Sequence, residues 1–348
     1  MKKQKNKTKK LLKKNTKKIS LLIITIIIIE ILLHLIWPKN IDLGIQKGDL
    51  IFFTPEKTKI HKWVGGELGY ELIPYASYKN YTINTLGFRD YEYNKIKKNN
   101  TFRIIIVGDS VTFGWNINLN DTFSKQIENH LKYKNKTYEV WNAGIGGYYA
   151  NQEIALFKKK ILFYKPDLVI FAFVLNDFRA GAWYVFDEKA ERYIIQQTKF
   201  RKPSIIKSEQ INKLLFKSKF FEIINLLLFK ITKNEEIFQD YYQDEQNNLV
   251  EQFSEVKNLA DENQIELRTI IIPLIRNYQN YNLKELHIKA KNIMNESGIR
   301  YFDMLSHFKK YDYKSFKIEE EDEYHYNALG NKIIANLTIY YLKQEGLI

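Results

Sequence analysis

The sequence predicts an α/β protein built around a doubly wound, mostly parallel sheet of five strands. Five short runs of apolar and β-branched residues are typical of strands that are covered on both faces. Amphipathic stretches separate these runs, and alternation of strand and helix at these lengths indicates a parallel sheet. The predicted strands are FRIIIVG (102–108), YEVWNAG (138–144), PDLVIFAFV (166–174), IELRTIIIP (265–273) and GIRYFDM (298–304). The predicted helices span residues 122–131, 151–162, 245–263, 283–296 and 328–342.

The first element of the chain is a basic tail, residues 1–18. Ten lysines lie between Lys2 and Lys18, with no acidic residue among them. The whole chain of 348 residues carries a formal charge of +14, so without these ten charges the remainder carries only +4. Because the charge belongs to a tail that lacks interleaved aromatic residues, we expect no nucleic-acid partner.

An apolar run of nineteen residues, ISLLIITIIIIEILLHLIW, follows the tail at 19–37. As a helix it would span about 28 Å, close to the thickness of a hydrocarbon core. Glu30 and His34 interrupt the run on one helical face, but its many Ile and Leu side chains outweigh one charge. No small-x-small cleavage site follows, so the run predicts an uncleaved signal anchor rather than a cleaved signal peptide. The lysines before it predict a cytoplasmic N-terminus, with the rest of the chain outside the membrane.

Two further segments flank or interrupt the predicted sheet. Residues 38–100 contain glycines and short β-type pieces, which predicts a small lobe of two or three strands that ends in the polar linker KIKKNN. Residues 101–348 form the main domain, with an insertion at about 180–264 that is far longer than one crossover needs. Within it, the apolar segment 208–232 predicts a helix or helix pair that covers the site, contacts the membrane or packs on the core.

A candidate nucleophile lies where the first predicted strand ends. Ser110 stands two residues after Gly108 and just before a short helix predicted from Val111 onward, so backbone N–H groups converge beside its hydroxyl. A serine that merely caps this helix is the alternative. The chain has no cysteine, which excludes disulfides, thiolate metal sites and a cysteine nucleophile.

A serine nucleophile needs a base, and the base needs a group that orients it. His325 stands three residues after Asp322, so Asp322 can hold Nδ1 while Nε2 faces the serine. Three further carboxylates precede this pair, Glu319, Glu320 and Glu321. The sequence therefore defines the histidine base better than the carboxylate that orients it. A solvated acidic loop with an unrelated histidine is the alternative.

Candidate oxyanion donors follow the second and third predicted strands. The glycines of NAGIGG can present a bare backbone N–H, and we favour that of Gly147. The side-chain amide of Asn176 in VLND supplies a second donor, and the N–H of Ser110 a third. An Asn-Asp pair at a strand end is also common in turns, so it is weak evidence alone.

Taken together, the blocks GDSVTFG, NAGIGG, VLND and DEYH resemble those of the SGNH (GDSL) hydrolase superfamily, over about residues 101–348. The resemblance implies a three-layer α/β/α sandwich of flavodoxin-like type and acyl transfer from an ester, with no metal and no cofactor. It implies a triad and an oxyanion hole drawn from Ser110, His325, Asp322, Gly147 and Asn176.

Two details of the sequence refine this resemblance. Val174 stands in the third block where glycine is common, which puts the local loop geometry in question but not the asparagine donor. The lead-in ELGYELIP…INTLGFRD is similar to the N-terminal region of membrane-anchored bacterial members.

The expected function is therefore that of a serine esterase acting on acyl or acetyl esters of extracytoplasmic glycans or lipids. The ester substrate and the membrane, bound through residues 19–37, are its expected partners, and the oligomeric state is left open. An O-acetyltransferase of envelope or secreted polysaccharide is the first alternative, and a non-enzymatic glycan-binding protein is the second.

Overall fold

The computed structural model describes residues 18, 20, 24–25, 27–35, 60–132, 136–178, 182–187, 192–197, 211, 215, 218–221, 223–224 and 235–348. The predicted tail up to residue 17 and residues 38–59 of the predicted lobe lie outside the described residues. The chain forms two compact units, Met1–Leu50 with Phe200–Gln239, and Ile51–Lys199 with Asp240–Ile348. The second unit contains the central sheet and every residue of the candidate site.

Five parallel strands form the central sheet, as the sequence predicts. In chain order the strands are β1 His61–Gly65, β2 Gly69–Leu72, β3 Ser77–Tyr78, β4 Tyr81–Thr82, β5 Thr101–Gly108, β6 Thr137–Gly144, β7 Leu168–Val174, β8 Ala182–Asp187, β9 Arg192–Gln197, β10 Glu266–Ile272 and β11 Arg300–Asp303. The sheet has the order β11-β10-β7-β5-β6, and every neighbouring pair is parallel. In core numbering this is the 2-1-3-4-5 order of flavodoxin-like sheets, whose sites lie beyond the carboxyl ends of the strands.

Helices cover the sheet on both faces. Those with defined bounds are α1 Ser110–Phe113, α2 Phe123–Leu131, α3 Ala150–Lys159, α4 Glu235–Glu262, α5 Lys284–Glu296, α6 Leu305–Phe308 and α7 Ala328–Gln344. Phe157 of α3 and Phe253 of α4 both contact Phe171 of β7, at ring distances of 5.9 and 5.4 Å, so these helices share one face.

The remaining contacts place α7 on the opposite face. Phe171 lies in register with Thr269 of β10, whereas Phe302 of β11 lies in register with the next residue, Ile270. Since neighbouring residues of a strand point to opposite faces, Phe302 faces away from α3 and α4. Tyr341 of α7 stacks on Phe302 at 5.2 Å, and α2 packs beside α7. Covered on both sides, Ile104 to Val107 of β5 are fully buried.

The β-rich lobe contains more strands than predicted. β1 and β2 form one antiparallel hairpin and β3 and β4 form another, which gives four short strands instead of two or three. Two-residue strands are too short to give an alternating pattern in the sequence. Two fully buried arginines join the lobe to the rest of the unit: Arg103 of β5 donates to carbonyls of the lobe, and Arg89 of the lobe donates to carbonyls at and after α1.

The insertion after the third core strand also differs from the prediction. It contains the antiparallel hairpin β8–β9, and its last helix, α4, begins at Glu235, ten residues before the predicted start. Of the apolar segment 208–232, only residues 211, 215, 218–221 and 223–224 are described, and all but Ser218 are helical. The roles considered for this segment stay predictions.

Among the described residues, no helix is long and apolar enough to cross a membrane. Residues 19, 21–23, 26, 36 and 37 of the predicted span lie outside the described residues, and 27–35 are helical. Glu30 and His34 contact each other, with 3.3 Å between Oε1 and Nδ1. The Glu30 carboxylate also accepts hydrogen bonds from the backbone N–H groups of Lys219 (2.7 Å) and Phe220 (2.9 Å), within the same compact unit.

Candidate active site

Ser110 begins helix α1 directly beyond the carboxyl end of β5. The residue that caps the helix is Asp109, whose Oδ1 accepts a hydrogen bond from the Val111 N–H at 2.8 Å, so the serine is not needed as a cap. The turn is tight because a Cβ on Gly108 would lie 2.1 Å from Thr112 Oγ1. The Ser110 hydroxyl is therefore free to face the carboxyl edge of the sheet.

His325 and Asp322 meet Ser110 from the loop before α7. The Nε2 of His325 lies 2.8 Å from Ser110 Oγ, and its Nδ1 lies 2.7 Å from Asp322 Oδ2. The other oxygen, Asp322 Oδ1, accepts hydrogen bonds from the N–H groups of Tyr324 (2.9 Å) and His325 (3.0 Å), which fix the carboxylate. The structure thus brings the three residues into one relay, although 215 positions separate Ser110 from His325.

Electrostatics favour an ionised Asp322. Burial acts to raise its pKa, but the His325 hydrogen bond and charge, together with the two N–H donors, lower the pKa overall. The preceding carboxylates Glu319, Glu320 and Glu321 are exposed. Asp322 is accordingly the member of this acidic run that contacts the histidine.

The glycine loop after β6 lies against the Ser110 turn. The Ile145 N–H donates to the Gly108 carbonyl at 3.0 Å, which joins the ends of β5 and β6. A Cβ on Gly146 would stand 4.0 Å from the Ser110 Cβ, and Gly147 has φ of +82°, a conformation that favours glycine. The loop therefore brings the predicted donor Gly147 beside the nucleophile turn.

Asn176 follows β7 in a 3₁₀ turn and reaches the same turn from the other side. Its Nδ2 donates to Asp109 Oδ2 at 2.8 Å. This bond fixes which end of the amide is the nitrogen, because a flipped amide would oppose two oxygens. The predicted site residues Ser110, Gly147, Asn176, Asp322 and His325 are thus gathered at one edge of the sheet.

Asp109 is a site residue for which the sequence analysis gave no role. It is fully buried, and it both caps α1 and holds Asn176. Burial raises its pKa, while the donors of Asn176 and Val111 act against that rise. Asp109 is the middle residue of the GDS tripeptide, so its position was visible in the sequence. Its two contacts, with the Val111 N–H and with the Asn176 amide, become evident only in the three-dimensional structure.

Arg89 supports the far end of the nucleophile helix. Its guanidinium donates to the carbonyls of Phe113 (2.8 Å), Gly114 (2.6 Å) and Ile117 (2.6 Å). The first of these carbonyls belongs to the last residue of the short helix α1 and the other two follow it, where C=O groups lack partners within the helix. Burial lowers the pKa of Arg89 to about 10, which still leaves it charged at neutral pH.

Two partly exposed aromatic side chains flank the histidine. The ring centroids of Trp115 and Tyr324 lie 6.1 and 6.4 Å from that of His325. They present apolar surface close to the imidazole of His325. Within the described residues, no group of three His, Cys, Asp or Glu side chains is arranged to hold a metal ion.

Two further carboxyl groups lie buried behind Asp109. Glu153 of α3 and Asp177 are both fully buried. The Asp177 Oδ2 accepts the Val174 N–H at 2.6 Å, whereas neither oxygen of Glu153 has a hydrogen-bond partner among the described residues. Burial, followed by the neighbouring carboxyls, raises the pKa of both groups well above the usual range. Burial thus favours the protonated form of both groups, and for Glu153 no hydrogen bond from a described residue opposes it.

Replacing Glu153 by methionine is expected to stabilise the protein at neutral pH. A carboxyl whose pKa is raised by folding makes its full contribution to stability below the unfolded pKa, and this contribution is lost as the pH rises from there through the folded pKa. The gain of Glu153→Met over wild type should therefore widen from pH 5 to pH 8 in thermal melts. Glu251→Met, at an exposed position of α4, should show no such pH trend. An equal shift at both pH values would contradict the buried-proton assignment.

A parallel sheet with a serine, histidine and aspartate in contact at its carboxyl edge defines a serine hydrolase of the α/β class. The chain belongs to the GDSL-like Lipase/Acylhydrolase family, whose model matches residues 106–333. It is accordingly an SGNH-type serine ester hydrolase, and the resemblance drawn from the four sequence blocks is confirmed at the level of the superfamily.

Solved structures with similarity to this chain are distant from it. The acetyl xylan esterase AlAXEase has 15% identity and a TM-score of 0.43, over 69% of this chain and 100% of that one. Axe2, an acetylxylan esterase from Geobacillus stearothermophilus, has 12% identity and a TM-score of 0.44, over 69% and 93%. A lipase/acylhydrolase from Enterococcus faecalis has 15% identity and a TM-score of 0.40, over 70% and 96%. No curated protein sequence matches the chain significantly.

Proposed function

We propose that the protein cleaves esters through a Ser110–His325–Asp322 triad, with the N–H groups of Ser110 and Gly147 and the Asn176 amide as oxyanion donors. The observation that carries the proposal is the continuous relay of 2.8 Å from Ser110 Oγ to His325 Nε2 and 2.7 Å from Nδ1 to Asp322. Such distances are those at which a general base takes a proton from its nucleophile.

The proposed reaction has two halves. Ser110 Oγ attacks the ester carbonyl while His325 Nε2 takes its proton, and the tetrahedral oxyanion is held by the three donors. His325 then gives the proton to the alcohol oxygen as the C–O bond breaks. A water molecule next adds to the acyl group, His325 takes the water's proton and returns it to Ser110, and the acid leaves.

The proposed substrates are acyl or acetyl esters of extracytoplasmic glycans or lipids. What supports this is the order of a basic tail and an apolar run at 19–37, which is typical of a single-pass anchor with a cytoplasmic N-terminus. On this proposal, the catalytic unit faces the envelope, where acylated glycans and lipids are within its reach.

A fluorophosphonate probe tests the nucleophile directly. The full-length protein in mild detergent should be labelled at Ser110, and Ser110→Ala should not be labelled. Ser77→Ala, at an exposed position of the lobe, is the matched control and should label like the wild type. Equal labelling of Ser110→Ala, or none of the wild type, would overturn the triad proposal.

Dependence of turnover on an added acceptor distinguishes hydrolysis from acyl transfer. With p-nitrophenyl esters of increasing chain length and with acetylated polysaccharides, an esterase releases acid into water without any acceptor. Turnover that requires an added glycan and leaves the acetyl group on its hydroxyl would instead establish an O-acetyltransferase.

A further inference from the structure

Tyr70, in the β-rich lobe, reaches into the oxyanion loop of the catalytic unit. It lies on β2 and is 1% exposed. Its hydroxyl donates a hydrogen bond of 2.7 Å to the carbonyl oxygen of Gly146, across 76 positions of sequence. The lobe therefore contacts the loop that carries the oxyanion donor.

The carbonyl that Tyr70 holds and the N–H of Gly147 belong to the same peptide group. A peptide group is planar and trans, so its C=O and N–H point in opposite directions. A donor fixed on the Gly146 oxygen therefore sets the direction of the Gly147 N–H. It also polarises the group, because hydrogen bonds in a chain strengthen one another in a low-dielectric interior.

This peptide needs such a restraint because glycine stands on both sides of it. Without a Cβ, Gly146 and Gly147 have the widest backbone freedom, and Gly147 is in the left-handed region at φ of +82°. Rotation of the 146–147 peptide would replace the N–H that faces the site by a carbonyl oxygen. The Tyr70 hydroxyl opposes that rotation, since it would lose its acceptor.

Tyr70 is itself held by the loop that it restrains. The Tyr148 hydroxyl donates to the Tyr70 carbonyl, and the two rings pack edge to face at 5.2 Å. The side-chain amide of Gln152 donates to the Leu68 carbonyl at 2.9 Å, just before β2. Reciprocal bonds of this kind leave the Tyr70 hydroxyl little freedom to leave Gly146.

We propose that Tyr70 is a positioning residue of the active site, which keeps the 146–147 peptide with its N–H directed at the oxyanion. The inference rests on the proposed function, because it takes the Gly147 N–H as an oxyanion donor. It makes the β-rich lobe part of the catalytic apparatus and not only a connection to the N-terminal segment.

Tyr70→Phe is the test, since it removes one hydroxyl and keeps the ring. Losing an oxyanion donor outright costs about 10²- to 10³-fold in kcat, so loss of its orientation should cost about 10-fold. The Michaelis constant for a p-nitrophenyl ester should change less than about 2-fold, because the donor acts on the transition state. The rate of fluorophosphonate labelling at Ser110 should fall in parallel with kcat.

Two further variants separate positioning from folding. Tyr148→Phe loosens Tyr70 without removing its hydroxyl, and it should give a smaller loss of kcat in the same direction. Tyr93→Phe removes a hydroxyl that links Lys125 and Glu128 away from the loop, so it should lower the melting temperature but leave kcat unchanged.

The outcomes distinguish this inference from the proposed function. If the wild type is labelled at Ser110 but Tyr70→Phe retains wild-type kcat and labelling rate, the positioning role is wrong while the triad stands. A loss of kcat in Tyr93→Phe equal to that in Tyr70→Phe would mean that reduced stability alone explains the loss. That result would also overturn the positioning role of Tyr70. A wild type that is not labelled at Ser110 would overturn both proposals.

Discussion

Replacing Ser110 by alanine is expected to lower kcat by about 10⁴- to 10⁶-fold, the range in which loss of a serine nucleophile falls. The reason is that the residues act as a unit: the hydroxyl is 2.8 Å from the imidazole that deprotonates it. His325→Gln should lose nearly as much, because no other imidazole contacts Ser110 Oγ among the described residues. The double variant should be no slower than either single one, and initial rates with a p-nitrophenyl ester measure all three.

Variants of the acidic run test the third member of the relay. Asp322→Asn keeps the shape but removes the charge that holds Nδ1, so it should lose at least about 10²-fold in kcat. Glu321→Gln is the matched control, because this neighbouring side chain is exposed, and it should behave like the wild type. For the double variant Ser110→Ala/His325→Gln described above, a loss of kcat equal to the product of the two single losses would contradict the view that these residues act as a unit.

The pH profile should support the same assignment. The pKa of Asp322 is lowered by the hydrogen bond and charge of His325 despite its burial, so this carboxylate stays ionised through the assay range. A fall in kcat/KM between pH 7 and pH 5 should therefore not arise from protonation of Asp322.

The core of the fold was predictable because local pattern and tertiary position coincide there. Within FRIIIVG, every residue from Ile104 to Val107 is apolar, and a strand of that kind is stable only when both faces are covered. Ser110 and Asn176 follow such strands directly, and the carboxyl ends of parallel strands meet at one edge. Predicting the strands therefore also predicted that these residues would come together.

The supporting contacts were not predictable, because they join residues that share no local pattern. Tyr70 and Gly146 are 76 positions apart, and Asp90 binds the Asn142 N–H across 52. In the sequence, Arg89 and Asp90 read as a charged turn. Their burial becomes evident only when the lobe packs on the nucleophile helix and the second core strand.

Lys125 is the clearest case of a charge whose surroundings the sequence did not reveal. It is fully buried on α2, although lysine is almost never fully buried unless it is paired. Its ammonium contacts Asp90 Oδ1 at 2.6 Å and Glu128 Oε2 at 3.1 Å. It also donates to the Tyr93 hydroxyl (2.7 Å) and the Val140 carbonyl (2.6 Å), so one side chain joins α2, β6 and the lobe.

Lys125→Met is expected to destabilise the protein by about 3–5 kcal/mol, because breaking a buried ion pair leaves its partner without a counter-charge. Burial raises the pKa of Asp90 to about 6 even though Lys125 lowers it, so without the lysine the pKa should rise further. The loss of unfolding free energy caused by Lys125→Met should then become smaller as the pH falls toward 5, where Asp90 takes up a proton in the folded state. Urea unfolding at pH 8 and pH 5 measures both effects.

A matched pair of variants separates burial from charge. Lys257→Met removes the partly exposed partner of the exposed Asp261 and should cost less than about 1 kcal/mol. Combining Lys125→Met with Asp90→Asn should recover part of the loss, because the uncompensated charge is then gone. If Lys125→Met lowered the free energy of unfolding by no more than Lys257→Met, the Lys125–Asp90 ion pair would not stabilise the packing of the lobe on the sheet.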